Sequence, residues 1–265
     1  MTVFAPILAR AVAEARAEGR DLESIATLHV VGAGSLRGIH RLASLETLIL
    51  ERPASLRHLR GHPSIERVEI DGRGWHKPHV DIAPLAEMPA LEHVLLHDLR
   101  IGRVDALCAR PLRTLTIRFC ELPRQRLRPP PTLTALDLDA TTGLRLAGVC
   151  PNLRTVDLWG TDMDPLGWVA RQGAIEELWL NGCRVPTLAP LLAMSQPPRW
   201  ISLSADEREL ARHRELVATL ETRGARFVFG DPFSTGIWVS SWGRVSPQLE
   251  DPLYLSPSWP RAAPE

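Results

Sequence analysis

The sequence has a single lysine, only four cysteines, no net charge and no long apolar run. Its 31 basic residues balance 31 acidic residues, so no surplus of positive charge indicates nucleic acid or anionic lipid as a partner. No apolar stretch approaches the roughly 18 residues that a membrane-spanning helix needs. We therefore expect no membrane partner. Nucleic acid is disfavoured, although arginines spread along the whole chain leave it as a minor alternative.

The few cysteines and the N-terminal residues both predict a cytoplasmic protein. No CxxC spacing occurs, and the first apolar stretch is interrupted by Arg10 and followed by Glu14 and Glu18. A secretory signal would keep a longer uncharged centre, so this segment is expected to form an amphipathic helix. Without a signal peptide the cysteines are expected to be reduced thiols.

The stretch VVGAGSLRG at residues 30–38 resembles the end of a buried strand followed by a phosphate-binding loop. Gly32, Gly34 and Gly38 take the spacing of a dinucleotide-binding turn, and Glu51 is an acid near the distance expected of a ribose ligand. Such a fold also needs a helix of ten or more residues after the turn. Only about eight residues are available after Gly38 before the next predicted strand begins, so a repeat turn is the favoured interpretation.

An apolar-x-x-apolar-x-apolar pattern recurs nine times at intervals of 20 to 26 residues. Neither one short strand nor one turn can bury such residues alone, so stacked copies are expected to share a continuous core. The copies begin at the following residues: Ile25, Leu45, Ile65, Leu91, Leu112, Leu133, Leu153, Ile175 and Pro198.

This pattern resembles the leucine-rich repeat over residues 23–205, and the unit at 146–163 is similar to cysteine-containing variants of that family. The resemblance implies an α/β solenoid: a right-handed, curved leucine-rich repeat with a parallel β-sheet on its concave face and helical N- and C-terminal caps. The expected organisation is a capping helix at 1–22, about nine repeats at 23–205, a helix-plus-strand cap at 206–230 and a Pro/Trp-rich tail at 231–265.

The four cysteines occupy two positions of this repeat. The ninth position of a unit normally holds a polar group that bonds the turn backbone, and Cys120, Thr141, Thr161 and Cys183 fill it here. Cys108 and Cys150 recur farther along their units, on the convex side. We therefore assign the cysteines a structural role.

One longer unit carries a loop that is rich in potential metal ligands. His76, His79 and Asp81 are candidate ligands only if the loop folds them together. His93 and His97 lie about 13 Å apart on one strand face, too far to share an ion. We predict a solvated loop, with no metal and no cofactor.

The repeat alignment also predicts which side chains point away from the core on the concave face. Seven of these are acids and only two are arginines, Arg67 and Arg118, so we expect an acidic surface that favours a cationic partner. Trp159, Trp179 and Trp200 form a diagonal across the last coils, a composition typical of binding hot spots. The predicted partner-binding residues are Trp159, Trp179, Trp200, Asp137, Asp139, Asp157, Glu177, Arg118, Asn181, Glu69 and Asp71; the remaining acid is Glu51.

The tail offers two interpretations. Trp238, Trp242 and Trp259 either pack it against the solenoid, where it could cover the tryptophan diagonal, or make it an arm that docks on a partner.

The leading functional hypothesis is a non-catalytic protein-interaction module that binds a basic or arginine-rich protein. By analogy with the repeat family, it could be an inhibitor or immunity-type protein. The alternative is a carbohydrate-binding or glycoside-processing protein that uses Asp137 and Asp157 with the tryptophans, because the two carboxylates are expected about 5 Å apart. An open sheet offers no closed pocket to raise one carboxyl pKa, which argues against the enzyme.

Overall fold

The computed structural model describes residues 6–19, 21–32, 34–73, 77–161, 165–204, 207–230, 238–240 and 243–244. The chain divides into two compact units. Unit 1 comprises Met1–Pro130 and Thr141–Arg145, and unit 2 comprises Pro131–Ala140 and Leu146–Glu265. Each unit is a repetition of short strands joined by turns and by brief helical segments.

The secondary structure alternates strands with short helices. The strands are β1 (Thr27–Val31), β2 (Thr47–Glu51), β3 (Arg67–Asp71), β4 (His79–Val80), β5 (His93–His97), β6 (Arg100–Ile101), β7 (Thr114–Arg118), β8 (Glu121–Leu127), β9 (Ala135–Asp139), β10 (Thr142–Leu146), β11 (Thr155–Asp157), β12 (Glu177–Leu180), β13 (Trp200–Ser204), β14 (Arg226–Gly230), β15 (Trp238–Ser240) and β16 (Gly243–Arg244). The α-helices are α1 (Pro6–Ala17), α2 (Leu166–Val169), α3 (Ala189–Leu192) and α4 (Glu207–Thr222), with 3-10 helices at Ile39–Arg41, Arg57–Leu59, Ala83–Glu87 and Asp105–Ala109.

In unit 1 the strands β1, β2, β3, β5 and β7 form a parallel sheet in the register predicted by the repeat. Thr27 pairs with Thr47, Thr47 with Arg67, Arg67 with His93, and His93 with Thr114. These residues all hold the third position of their repeat units, so equivalent positions lie side by side.

A second, smaller sheet in unit 1 has the strand order β10, β8, β6, β4. Its strands β4, β6 and β8 come after the parallel strands β3, β5 and β7 in the chain. His79 pairs with Arg100, and Arg100 with Glu121. The sequence pattern did not predict these strands, because only the main strand of each unit carries the repeated apolar triplet.

In unit 2 the same register continues through β9, β11, β12, β13 and β14. Ala135 pairs with Thr155, Thr155 with Glu177, Glu177 with Trp200, and Trp200 with Arg226, all in parallel. Strand β14 therefore extends the repeated register by one strand beyond the last recognisable repeat.

The part of the tail that the structure describes adds antiparallel strands to the edge of β14. Val239 pairs with Phe229, and Val239 of β15 also pairs with Arg244 of β16. Trp242 and Trp259 lie outside the described residues, so the predicted packing or docking of the tail by its tryptophans stays a prediction.

The apolar triplets form the core of both units. Their leucine, isoleucine and valine side chains are all between 0% and 4% exposed. Complete burial of one such side chain contributes about 1.5–3 kcal/mol, so the stacked triplets are the main stabilising element of each unit.

Each unit contains one longer helix, α1 in unit 1 and α4 in unit 2. Helix α1 contacts β1 and buries Leu8 and Val12, while α4 contacts α3 and β14 and buries Leu220. No helix in the described ranges is both long and apolar enough to cross a membrane.

A left-handed residue follows most of the parallel strands. Positive φ angles occur at the same repeat position, at Gly32, Arg52, Asp98, Phe119, Ala140, Gly160 and Gly182. Four of these residues have a side chain, and a left-handed L-residue costs about 1–2 kcal/mol. The chain therefore reverses direction by the same backbone geometry in successive coils, whether or not a glycine is present.

The glycines of VVGAGSLRG serve this turn. Gly32 has φ +67° and its N–H donates to the Glu51 carbonyl at 2.7 Å, one coil later. The helix that follows, Ile39–Arg41, has three residues. The Glu51 carboxylate lies 2.9 Å from Nε2 of His29. Both the predicted phosphate donor and the predicted ribose ligand are thus engaged within the repeat.

Side chains at the ninth repeat position bond the backbone as the resemblance implied. Thr141 Oγ1 donates to the Ile117 carbonyl at 2.8 Å, and Cys120 Sγ lies 3.5 Å from the Leu96 carbonyl. Burial raises the pKa of the Cys120 thiol to about 12 and that of Cys150 to about 11, which disfavours the reactive thiolate.

Candidate functional site

The predicted binding residues are divided between the two units. Glu69, Asp71 and Arg118 lie on strands of unit 1. The other predicted residues lie in unit 2: Asp137, Asp139, Asp157, Trp159, Glu177, Trp179, Asn181 and Trp200. They occupy strand positions that alternate with the buried apolar triplet, except for Asn181, which directly follows β12, and Trp159, which lies two residues after the end of β11.

In unit 1 the strand carboxylates are engaged by neighbouring bases. Asp71 Oδ1 lies 3.1 Å from Nδ1 of His97 and accepts the Arg73 backbone N–H at 2.9 Å. Burial raises the pKa of Asp71, but these hydrogen bonds and the positive neighbours outweigh it, so the pKa lies below its ordinary value. The opposite holds for Glu69, where burial raises the pKa and Arg67 only partly offsets it.

These contacts correct the predicted charge balance of the face. The sequence interpretation set acids against arginines alone and omitted the histidines at equivalent positions. His29 beside Glu51 and His97 beside Asp71 are partners on adjacent strands, so these two acids of unit 1 each have an imidazole neighbour. The repeat alignment carries this information, because Asp71 and His97 hold the same repeat position and lie side by side on β3 and β5.

In unit 2 the outward side of the strands carries an aromatic surface that we call the tryptophan face. It comprises Asp137, Asp139, Asp157, Trp159, Glu177, Trp179, Asn181, Trp200 and Arg226. The Trp159 side chain is 41% exposed and the Trp200 side chain 37%. Trp179 is half-buried, and its Nε1 has no hydrogen-bond partner among the described residues.

Trp159 is held by its backbone neighbours and lies against a glycine. Its N–H donates to Asp157 Oδ1 at 3.2 Å, and its carbonyl accepts the Ala140 N–H at 2.7 Å. A Cβ at Gly182 would lie 2.9 Å from Cδ1 and 3.0 Å from Nε1 of the indole. The glycine therefore lets the ring rest on the adjacent turn while the side chain stays exposed.

Trp200 has a cationic neighbour within the same face. The guanidinium carbon of Arg226 lies 5.4 Å from the ring centroid, within the range of a cation–π contact. Arg226 was missed as a surface residue because the segment ARFVFG was interpreted only as a cap. Aligning its Phe227 and Phe229 with the apolar positions would have placed Arg226 beside Trp200.

The acids of the tryptophan face are more buried than predicted. Asp137 is 0% exposed, and Asp139 and Asp157 are each 9% exposed. Side chains on adjacent strands are only about 4.8 Å apart and shield one another, which the alternation pattern does not reveal. The prediction of an openly acidic surface is therefore wrong for these three residues. Glu177 remains half-exposed at one end of the row.

The predicted neighbour relationship of Asp137 and Asp157 is present, since they pair in register on β9 and β11. A glycosidase would need both carboxylates to reach a sugar. The complete burial of Asp137 denies that access, so this geometry does not support glycoside processing.

Asn181 joins the turn of its coil to the next strand. Its Oδ1 accepts hydrogen bonds from Ser202 at 3.1 Å and from Ser204 at 3.5 Å. It therefore helps to hold the end of β13 beside Trp179.

The structure describes only part of the loop that carries the candidate metal ligands His76, His79 and Asp81. His76 lies outside the described residues. His79 and Asp81 line a recess of about 530 Å³ together with Arg103 and Asp105, which pair with each other. Asp81 Oδ1 accepts the Ala83 N–H at 3.0 Å. In the part of the chain that the structure describes, no three His, Cys, Asp or Glu side chains are grouped to hold a metal.

No family model matches the chain, and no curated protein matches its sequence. Among solved structures, the chain is similar to an internalin C2 from Listeria monocytogenes, at 20% identity and a TM-score of 0.43, covering 75% of this chain and 93% of that one. It is also similar to an internalin (inlF) from the same species, at 14% identity and a TM-score of 0.31, covering 85% and 91% of the two chains. The period and register described above decide the fold. It is leucine-rich-repeat-like.

Proposed function

We propose that this protein is a non-catalytic interaction module that binds a protein partner on the tryptophan face. The observation that carries the proposal is the exposure of Trp159, in the turn after β11, and of Trp200, on β13, at 41% and 37% respectively. Exposed indoles are costly in water and contribute strongly to protein interfaces when a partner covers them.

The charge of the tryptophan face favours a basic partner. Four carboxylates, Asp137, Asp139, Asp157 and Glu177, accompany the indoles, and Arg226 is the one basic residue of the face. Partly buried carboxylates act through a lower dielectric than surface ones, so they orient a cationic partner even where they make no direct contact. In unit 1, Glu51 and Asp71 already contact His29 and His97, so we favour unit 2 for the proposed surface.

The test is affinity capture followed by direct titration. Wild-type protein and a Trp159→Ala/Trp200→Ala variant are used to capture partners from the native lysate, and each protein found only with wild type is purified and titrated. Removing both exposed indoles is expected to weaken binding by more than about 2 kcal/mol, at least roughly thirtyfold. Affinity should also fall between 50 and 500 mM salt, because charges at the rim of the interface are screened.

A matched control separates a binding site from general exposed apolar surface. Val149→Ala truncates another exposed apolar residue that does not belong to the tryptophan face, and we expect it to leave affinity unchanged. Equal capture by wild type and the double indole variant, with both folded, would show that the tryptophan face is not the binding surface.

The finer form of the proposal is an inhibitor or immunity-type protein in the cytoplasm. It adds that the captured partner loses its own activity when the module is bound. A cytoplasmic location agrees with the cysteines, all four of which lie in the described chain and outside any disulfide. A partner that keeps full activity in a saturated complex would remove the inhibitory role and leave the interaction module.

A further inference from the structure

Trp159 combines the features of a site for a flat cation. One part of its indole is backed by Gly182, where the ring approaches to within 3 Å of the position that a Cβ would take, and the side chain is 41% exposed. The Trp159 carbonyl accepts the Ala140 N–H and the Trp159 backbone N–H donates to Asp157 Oδ1, so the residue is fixed at both of its backbone groups. The ring is therefore a supported platform that needs little reordering to receive a ligand, which reduces the entropy cost of binding.

Carboxylates flank this platform. Asp139 immediately precedes Ala140, whose N–H bonds the Trp159 carbonyl, so Asp139 lies alongside Trp159 on the neighbouring strand. Asp157 lies two residues before Trp159 and accepts its N–H. Each of the two acids is 9% exposed, so a carboxylate charge at these positions is only partly screened by water.

The same face already shows what chemistry suits such a ring. Arg226 holds its guanidinium carbon 5.4 Å from the ring centroid of Trp200, on a strand that pairs directly with the strand of Trp200. The described residues supply no such cation to Trp159. Among the described residues, Arg226 thus contacts the Trp200 ring, while the Trp159 ring carries no comparable internal cation and suits an external one.

We infer that Trp159, with Asp139 and Asp157, forms a subsite for one arginine side chain; the peptide origin of that arginine rests on the proposed function. A guanidinium is planar and stacks on an indole while its N–H groups reach carboxylates at the ring edge, whereas an ammonium is a compact, strongly hydrated point charge. The subsite therefore distinguishes arginine from lysine as well as from uncharged side chains.

The experiment titrates 15N-labelled protein with capped amino acids at constant ionic strength. The probes are N-acetyl-arginine methylamide, its lysine counterpart and the citrulline counterpart, which has nearly the same shape as arginine but no charge. The indole N–H signal of Trp159 is assigned from its loss in Trp159→Leu. We expect arginine to shift this signal with millimolar half-saturation, lysine to bind several-fold more weakly, and citrulline to produce no comparable shift.

Two variants and one internal control decide the assignment. Asp139→Asn and Asp157→Asn keep the size of each side chain, and each is expected to weaken arginine binding about two- to fivefold. The Trp200 indole, which Arg226 already contacts, should shift less than Trp159. Equal shifts with arginine and citrulline, equal affinities for arginine and lysine, or no shift at Trp159 would each overturn the subsite.

The test of the arginine subsite and the test of the proposed function can give different outcomes. A partner that depends on the exposed indoles while arginine methylamide leaves Trp159 unmoved would retain the module and remove the arginine subsite. A selective arginine shift with no partner lost in the double indole variant would retain the subsite and remove the proposed function.

Discussion

Gly182 lies so close to Trp159 that a Cβ at that position would be 2.9 Å from Cδ1 of the indole. Gly182 also has φ +69°, so Gly182→Ala introduces both a close contact and a strained backbone. The atoms met first belong to an exposed ring, which can move more readily than backbone. We therefore expect a loss of about 1–2 kcal/mol in the free energy of unfolding from the backbone, together with displacement of the ring.

Gly61→Ala is the matched control for that change. Gly61 has φ +67°, and a Cβ there would meet no atom within 4 Å. Both variants should lose similar stability in denaturant titrations, and only Gly182→Ala should shift the Trp159 indole N–H signal. An unmoved signal in Gly182→Ala would mean that the glycine does not position the ring.

Thr141 tests the hydrogen bond at the ninth repeat position. Its buried Oγ1 donates to the Ile117 carbonyl at 2.8 Å. Thr141→Val keeps the shape and leaves the carbonyl without that donor, so the free energy of unfolding should fall by about 1–3 kcal/mol. Thr141→Ser retains the hydroxyl and should recover most of the hydrogen-bond contribution. Equal losses in Val and Ser would assign the effect to packing of the methyl group.

The repeat positions were predictable from the sequence because burial repeats with the period of the coil. Leu28, Leu48 and Val68 recur at one spacing and pair side by side, so aligning the apolar triplets was sufficient to obtain the sheet register. The spacing of apolar residues along the chain determines which of them share the core, so this burial can be predicted from the sequence.

The burial and pairing of side chains on the outward face depend on contacts with adjacent strands, which the repeat pattern does not predict. The complete burial of Asp137 arises from side chains on adjacent strands, and the pairing of His97 with Asp71 from rotamers across β3 and β5. The left-handed turn at Phe119 could not be predicted from the sequence, because no glycine occupies that position. Burial of the apolar triplets on both sides fixes the path of the chain there. This packing overrides the preference of a non-glycine residue for a negative φ angle.

Substitution of Ala140 measures the stability cost of a left-handed residue at the strand exit. It has φ +42° at the strand exit where Gly160 and Gly182 occupy the equivalent positions of later coils. Ala140→Gly removes the left-handed penalty and adds chain entropy to the unfolded state, with a net gain of about 0.5–1 kcal/mol in the free energy of unfolding. Ala109→Gly, in a 3-10 helix with negative φ, should instead lower stability by a similar amount. A loss in both variants would show that the turn at Ala140 is not strained.

His62 should make the protein less stable in acid. The side chain is fully buried, its Nε2 lies 3.3 Å from the Ile39 carbonyl, and its ring stacks on His40 with centroids 5.1 Å apart. Burial lowers the pKa of His62; the bond to Ile39 opposes this and the charge of His40 adds to it. The folded state therefore keeps the imidazole neutral at a pH where the unfolded chain protonates it.

The direction of the pH dependence follows from that difference. Stability from a neutral His62 is complete above an unfolded-state pKa of about 6.5 and falls as pH decreases, by at most about 1.4 kcal/mol per pH unit for one proton. Unfolding titrations of wild type at pH 7.5, 6.5 and 5.5 should show this loss, and His62→Gln should reduce it. The exposed His40 supplies the control, because His40→Gln leaves the buried ring in place and should keep most of the slope. Parallel pH profiles for wild type and His62→Gln would assign the acid sensitivity to other groups.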